Sequence, residues 1–191
     1  ALVNEVTGIF ASICDDSDIR AVVLRGSEGN FCAGGDISDM HKDAASEEQR
    51  HKNVWEFNRS FGRMITQVNH APQVVVSLLE GAVLGGGFGL ACVSDVAIAD
   101  QNAMFSMPET GLGIIPAQIA PFVVARIGLT HARRLALLGE RIGGEEAKTL
   151  GIVHFVSHSA TELQEQLDRV IKQVRRCAPK ANAVTKALML K

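Results

Sequence analysis

The residues best suited to chemistry lie in a glycine-rich segment, Gly85–Gly89, that begins with three consecutive glycines. It follows the apolar run Val74–Leu79, which is typical of a buried strand. Without Cβ atoms the main chain is open to a ligand, and a helix that begins near Gly86 would aim its free N–H groups at that ligand. Such groups suit a phosphate or a developing oxyanion. A tight strand–helix turn without a ligand is the alternative. The segment has neither the Gly-Lys-Ser/Thr of a P-loop nor the spacing of a dinucleotide site.

A second segment of small residues, Phe31–Asp36, follows another apolar run, Ala21–Arg25. Taken alone it is as consistent with a simple turn as with a ligand site. Two glycine-rich strand exits in one small domain favour two backbone donors that converge on one atom, which is the arrangement of an oxyanion hole.

The candidate acid/base is the carboxylate of Glu109, which lies in the loop Pro108–Pro116 between apolar residues. A loop glutamate is commonly a solvated charge. If Glu109 instead faces a dry cavity, lost hydration would raise its pKa toward a range suited to proton transfer. Cys32 has no paired histidine as a nucleophile would need, and the six histidines show no metal-ligand spacing, so we expect no metal.

The elements that must position these residues alternate between strands and helices, which predicts an α/β fold with one domain over residues 1–191. The apolar run Ala21–Arg25 does not alternate, so we expect burial on both its faces. A capping box at Ser46–Gln49 predicts a helix to about Asn69. Further predicted strands and helices are Val96–Ala99, Met104–Ser106 and His154–Val156, and Ala120–Ile127, Thr130–Leu138, Glu145–Leu150 and Ala160–Cys177. The chain opens inside a helical pattern, so we expect residues to be missing at its start.

The composition argues against several classes of binding partner. The net charge of −2 gives no basic surplus for nucleic acid or anionic lipid. The longest apolar stretch, Val74–Val93, is broken by Ser77, Glu80 and five glycines, so we expect no membrane span. The four cysteines form no Cys-x-x-Cys pair, which favours buried free thiols in a reducing compartment.

Three segments in register resemble the crotonase (enoyl-CoA hydratase/isomerase) superfamily. They are FCAGGDISDM at Phe31–Met40, EGAVLGGGFGLACVSDVAIA at Glu80–Ala99 and MPETGLGIIPAQIAPFVVARIG at Met107–Gly128. The resemblance implies the α/β crotonase (ClpP-like) spiral of ββα units with C-terminal helices. It also implies a homotrimer or a hexamer (a dimer of trimers), and a location in the bacterial cytoplasm or, in a eukaryote, the mitochondrial matrix. Family members continue beyond the position of Lys191, so we expect the chain to be incomplete at both ends.

For chemistry, the resemblance implies an acyl-CoA thioester whose enolate oxygen is held by the N–H groups of Gly35 and Gly86. Glu109 would be the acid/base. No cofactor is implied beyond the CoA of the substrate. The residues expected to bind substrate are Ala33, Gly34, Asp36, Ile37, Gly85, Gly89, Pro108, Leu112 and Pro116.

One departure from the family pattern bears on the reaction. Hydratases of the family carry a second glutamate, and its position is Gly89 here. One carboxylate suffices for an isomerase, and we expect the missing side chain to leave room for a bulkier acyl group. The segment Pro116–Val123, however, resembles the branch that hydrates 3-substituted glutaconyl-CoA esters in leucine and terpene breakdown, including 3-methylglutaconyl-CoA and isohexenylglutaconyl-CoA hydratases. The second carboxylate of such a substrate could replace the missing catalytic one.

The resulting prediction is a lyase that adds water to a branched or carboxylated 2-enoyl-CoA. The alternatives are an enoyl-CoA Δ-isomerase that uses Glu109 alone and a non-catalytic CoA-binding or assembly subunit, which only the missing glutamate supports.

Overall fold

A computed structural model describes residues 2–35 and 46–191 of the chain. The helices of this described part are α1 (Leu2–Ile13), α2 (Glu47–Asn69), α3 (Gly86–Val93), α4 (Ala120–Leu138), α5 (Gly144–Thr149), α6 (Ala160–Val174) and α7 (Pro179–Met189). The strands are β1 (Ala21–Arg25), β2 (Val74–Leu79), β3 (Ala82–Leu84), β4 (Val96–Asp100), β5 (Met104–Ser106), β6 (Arg141–Ile142) and β7 (Phe155–Ser157).

The larger sheet is parallel throughout, with the strand order β1–β2–β4–β7. Side chains of β2 alternate between its two faces. Val75 and Leu79 join the main core with α2 and α3, whereas Val76 and Leu78 pack against α6. Helices therefore cover both faces of the sheet, and the α/β prediction is confirmed.

Strand β1 lies at the edge of this sheet, where it pairs with β2 alone among the described strands. Val23 in its centre is 40% exposed. The prediction that both faces of β1 are buried is therefore wrong, because the described helices do not cover this edge strand as they cover the interior strand β2.

Local sequence signals place several elements correctly. The Ser46 hydroxyl accepts a hydrogen bond from the Gln49 N–H at 3.1 Å, as the capping box at the start of α2 predicts. Helix α3 begins at Gly86, as expected. The two helices predicted on either side of Gly128 form one element, α4, with a break at Gly128, whose φ is 75°. Helix α6 ends at Val174, earlier than predicted, and α7 follows it.

The smaller sheet has the order β3–β5–β6, with β3 and β5 parallel and β5 and β6 antiparallel. It carries the loops of the candidate site.

The burial of the cysteines differs from expectation. Cys92 is buried and Cys32 partly buried, but Cys14 and Cys177 are exposed, so the prediction that all four are buried is wrong. Within residues 2–35 and 46–191, no helix combines the length and apolar character that a membrane span needs.

Candidate active site

The two glycine-rich segments are tied to each other by main-chain hydrogen bonds. Cys32 and Val83 form a parallel bridge. The Cys32 N–H donates to the Ala82 carbonyl at 2.8 Å, and the Leu84 N–H donates to the Cys32 carbonyl at 2.9 Å. The segment before Gly34 therefore runs beside β3 as a short additional strand.

Beyond this bridge the two segments run on to the proposed donors. Gly35 and Gly86 each lie three residues beyond their partner in the Cys32–Val83 bridge. The two segments also touch beyond the bridge, since a Cβ atom on Gly87 would lie 2.5 Å from the Cys32 Cβ. Both Gly35 and Gly86 line one cavity. The pairing therefore brings the two glycine-rich segments together, and the convergence of the Gly35 and Gly86 N–H groups on one atom stays a prediction.

The local backbone explains why glycines stand at these positions. Gly85 precedes α3 with φ 52° and ψ −114°, and Gly34 has φ 104°, both in regions that side chains disfavour. The Gly85 N–H donates to the Ser106 carbonyl at 3.0 Å, which fixes the turn. As the first residue of α3, Gly86 has no acceptor for its N–H within the helix, and the helix dipole favours negative charge there.

The Glu109 carboxyl lies directly against this turn. Its Oε1 is 3.0 Å from the position that a Cβ atom on Gly85 would occupy. Its Oε2 is buried, with no hydrogen-bond partner among the described residues. Burial raises the pKa of Glu109 above its ordinary value, and a hydrogen bond from its own main chain opposes this in part. The carboxyl is thus close to the α3 N-terminus and poorly hydrated, as expected of a group that exchanges protons.

Hydrogen bonds hold the loop that carries Glu109. The residue opens a 3₁₀ turn, Glu109–Leu112, that closes at Gly113 with φ 73°. The Glu109 carbonyl accepts from the Ile114 N–H at 3.0 Å, and the Thr110 hydroxyl donates to the Ala136 carbonyl of α4 at 2.8 Å. The carboxyl is therefore carried by a fixed turn.

These residues open onto a cavity of about 400 Å³. The predicted site residues that line it are Ala33, Gly34, Gly35, Gly85, Gly86, Pro108, Glu109, Leu112 and Pro116. Asp36 and Ile37, also predicted to bind substrate, lie outside the described residues.

Gly89 is the predicted site residue that the structure places elsewhere. It is buried in α3, and a Cβ atom there would collide with Ile119 Cγ2 and lie 3.0 Å from the Ile65 Cδ1. The expectation that Gly89 leaves room for a bulkier acyl group is wrong, because Ile119 occupies that space.

Sequence reasoning missed the wall formed by α2. The apolar residues Val54, Phe57 and Phe61 of this helix line the cavity together with Asn58. Gln118, in the loop before α4, also lines it, with its side chain against Gly62 of α2. The spacing of the apolar residues identified the correct helix face, but it could not distinguish a cavity wall from a packed core.

The chain was compared with known proteins. Residues 1–191 match the family model described as Enoyl-CoA hydratase/isomerase. A crystal structure of an enoyl-CoA hydratase/isomerase from Marinobacter aquaeolei is 58% identical, with a TM-score of 0.93, over 98% of this chain and 72% of that one. Pseudomonas aeruginosa AtuE is 57% identical with a TM-score of 0.92, also over 98% of this chain and 72% of that one.

Curated relatives are more distant and carry different activities in their names. Enoyl-CoA hydratase ACTT6 of Alternaria alternata is 26% identical over 191 residues, which are 100% of this chain and 61% of that protein. The peroxisomal Delta(3,5)-Delta(2,4)-dienoyl-CoA isomerase of Arabidopsis thaliana is 29% identical, over 95% of this chain and 68% of that protein. The chain thus spans about three fifths of the length of the first of these relatives.

Proposed function

The chain belongs to the enoyl-CoA hydratase/isomerase family, and from this premise we propose that its protein adds water to a 2-enoyl-CoA thioester. One observation carries the proposal. The Glu109 carboxyl lies against Gly85, at the start of α3, in the cavity that Gly35 and Gly86 also line.

The main-chain donors would act on the thioester carbonyl. When a nucleophile adds to C3 of the enoyl group, negative charge moves to that carbonyl oxygen. The N–H groups of Gly35 and Gly86 would hold the oxygen from the ground state through the enolate. In comparable oxyanion holes, loss of one donor costs about 3 kcal/mol.

Glu109 would move the proton. Its carboxylate accepts a proton from water as the water oxygen bonds to C3, and the C2–C3 π electrons pass to the enolate. The protonated Glu109 then donates the same proton to C2, and the enolate collapses to the thioester. Atoms and charge balance, and the carboxylate is restored. The raised pKa supports this role, since the carboxyl must hold the proton between the two steps.

The proposed substrate is a branched or carboxylated 2-enoyl-CoA of the 3-substituted glutaconyl type. The resemblance of Pro116–Val123 to that branch supports it. Among the described residues that line the cavity, Glu109 is the only charged one. A carboxylate on the substrate could therefore orient the attacking water where other hydratases use a second glutamate.

We include the homotrimer or dimer of trimers in the proposal. Apolar side chains that the described residues leave uncovered support an association there, namely Leu137 and Leu138 at the end of α4 and Val184 and Leu188 on α7.

A Δ-isomerase is the second candidate. It needs a single carboxylate to carry a proton between C2 and C4, and Ile119 fills the space in which a second carboxylate on α3 would lie. The mass of the product separates the two reactions, because hydration adds the mass of one water and isomerisation adds none.

The decisive variant is Glu109→Gln in the full-length protein. We expect kcat to fall at least about 100-fold, the usual minimum for loss of a general acid/base, while CoA-ester binding persists. Glu145→Gln, an exposed substitution on α5, is the matched control and should retain wild-type turnover. Near-native turnover of Glu109→Gln would refute the assignment.

A panel of esters tests the reaction and the substrate class. Crotonyl-CoA and a 3-substituted glutaconyl-CoA are incubated with the protein, and the products are weighed by mass spectrometry. A gain of one water supports the hydratase, and faster turnover of the carboxylated ester supports the substrate class. Intact CoA binding without turnover of any ester would instead favour the non-catalytic subunit.

A further inference from the structure

Two primary amides, of Asn58 on α2 and Gln118 in the loop before α4, line the cavity. Both side chains are partly buried. Within the described part of the chain, no hydrogen bond engages either amide. Each can therefore offer its two N–H donors to a group inside the cavity.

The two amides are neighbours. A Cβ atom on Gly62 would collide with the Gln118 Oε1, so the Gln118 side chain lies over Gly62. Asn58 precedes Gly62 by one helical turn on the same face of α2, and residues so spaced are adjacent on a helix surface. The absence of a side chain at Gly62 thus leaves space for the Gln118 amide next to that of Asn58.

The pair lines the same cavity as the proposed oxyanion donors and Glu109. Phe61, the residue before Gly62, places its ring Cζ 2.8 Å from where a Cβ atom on Gly86 would be. Gln118 also directly precedes Ile119, which fills the space facing Gly89. The amides and the ring that contacts the proposed oxyanion donor therefore line the same cavity.

The electrostatics of the cavity define what such amides would bind. The described lining residues include no lysine or arginine, and Glu109 is their only charged member. Among these described residues, a carboxylate on the acyl chain would meet neutral donors and no cation. A simple alkyl chain would leave both amides unsatisfied, which is costly in a dry site.

We propose that the amides of Asn58 and Gln118 bind the distal carboxylate of the acyl group and select carboxylated over simple enoyl-CoA esters. This inference rests on the proposed function. It makes Asn58 and Gln118 specificity-determining residues, and Gly62 the residue whose lack of a Cβ atom gives Gln118 its position.

The test is the ratio of kcat/KM for a 3-substituted glutaconyl-CoA to kcat/KM for crotonyl-CoA, in the full-length protein. Gln118→Leu removes the donors at similar volume. We expect the ratio to fall roughly 10- to 150-fold, the range for loss of a hydrogen bond to a charged group. Asn58→Leu should lower it in the same direction. The control is Gln164→Leu, on the exposed side of α6, which should keep the wild-type ratio.

A further variant, Gln118→Glu, places a negative charge at the same point and should lower the ratio more than Gln118→Leu does, since like charges repel. Thermal denaturation of each variant confirms folding before the kinetics are compared.

The outcomes separate this inference from the function beneath it. A wild-type preference for the carboxylated ester that survives both leucine substitutions would overturn the role of the amides and leave the hydratase standing. If the wild-type protein hydrated crotonyl-CoA as well as the carboxylated ester, the role of the amides would likewise be overturned and the hydratase activity would stand. Failure of the wild-type protein to convert any enoyl-CoA ester would overturn the proposed function, and this inference with it.

Discussion

The Glu109 carboxyl is held where its negative charge is unfavourable. Its Oε2 is buried without a hydrogen-bond partner in the described structure, and burial raises its pKa above the ordinary value of 4.5. A carboxyl with a raised pKa binds its proton more tightly in the folded than in the unfolded protein. Its ionisation therefore destabilises the fold as pH rises from 4.5 through the folded pKa, and the full cost is present above that pKa.

Replacement of Glu109 should therefore lower the activity while removing the cost of a buried charge to the stability of the fold. We expect the stability of Glu109→Gln relative to the wild-type protein to be greater at about pH 8 than at about pH 4, because only the wild type has a buried carboxyl to ionise as pH rises. Urea denaturation at the two pH values measures it.

The exposed variant Glu145→Gln again serves as the control, with no pH-dependent difference of this sign expected. A Glu109→Gln protein whose stability relative to the wild type is clearly lower at the higher pH than at the lower would mean that ionisation of the carboxyl stabilises the fold. Its proposed desolvation in the cavity would then be wrong.

At the scale of the elements, α3 and the loop before α4 pack together because a glycine on the helix faces a large side chain of the loop. Gly89 on α3 faces Ile119 of the loop, and Ile65 of α2 closes the same contact. An isoleucine thus fills the space that a side chain on α3 would need. The lack of room for a second carboxylate at Gly89 therefore depends on two positions that are distant in sequence.

This contact predicts that a second glutamate cannot be restored by a single substitution. Gly89→Glu should lower the free energy of unfolding by about 1–3 kcal/mol, the usual cost of overpacking a core, and should not increase hydration. Combining it with Ile119→Gly should recover part of that loss relative to Gly89→Glu, because the colliding side chain is removed. Urea denaturation and crotonyl-CoA hydration are measured on the wild type, on Gly89→Glu and on the double variant.

A glycine in open space supplies the control. Gly8 lies exposed within α1, and a Cβ atom there meets nothing within 4 Å. Gly8→Ala should therefore stabilise the protein by about 0.5–1 kcal/mol. If Gly89→Glu were as stable as the wild type, the tight contact with Ile119 would not exist in solution.

What the sequence could predict at this scale follows from the range of the interactions. The Ser46 cap and the start of α3 at Gly86 depend on residues within one turn, so local patterns identified them. Strands β3 and β6 were missed because β3 lies in a run of apolar residues and glycines that shows no period, and β6 has only two residues. The contact of Gly89 with Ile119 was missed because no local pattern joins such distant positions.

At the scale of the whole molecule, partly buried cations on α4 and α7 bind segments next to strands of the larger sheet, away from the residues that line the cavity. Arg126 of α4 donates to the main-chain carbonyls of Ser94, Gly151 and Ile152 at 3.2, 2.9 and 3.0 Å. Lys186 of α7 forms an ion pair of 2.7 Å with Asp95. Asp95 in turn accepts from the main chain of β2. The fold is thus stabilised by groups that do not contact the proposed site.

His154, beside Arg126, makes part of this stability depend on pH. Its Nδ1 accepts a hydrogen bond from the Ala97 N–H at 3.0 Å, which requires the neutral ring. Burial, and next the charge of Arg126, lower the pKa of His154 below its ordinary value of 6.5. As pH falls through 6.5, the unfolded chain therefore takes up the proton before the folded protein does. The stability that His154 contributes is complete above that pH and is lost as pH falls toward the folded pKa.

His154→Asn isolates this effect, because the Asn side-chain oxygen can accept from the Ala97 N–H but does not titrate. We expect the wild-type protein to lose more stability than the variant between about pH 7.5 and about pH 5.5, as followed by urea denaturation. His51→Asn, an exposed substitution on α2, should keep the wild-type pH dependence. Equal slopes for the wild type and His154→Asn would mean that the folded and unfolded proteins bind the His154 proton equally well, contrary to the partial burial of the ring beside Arg126.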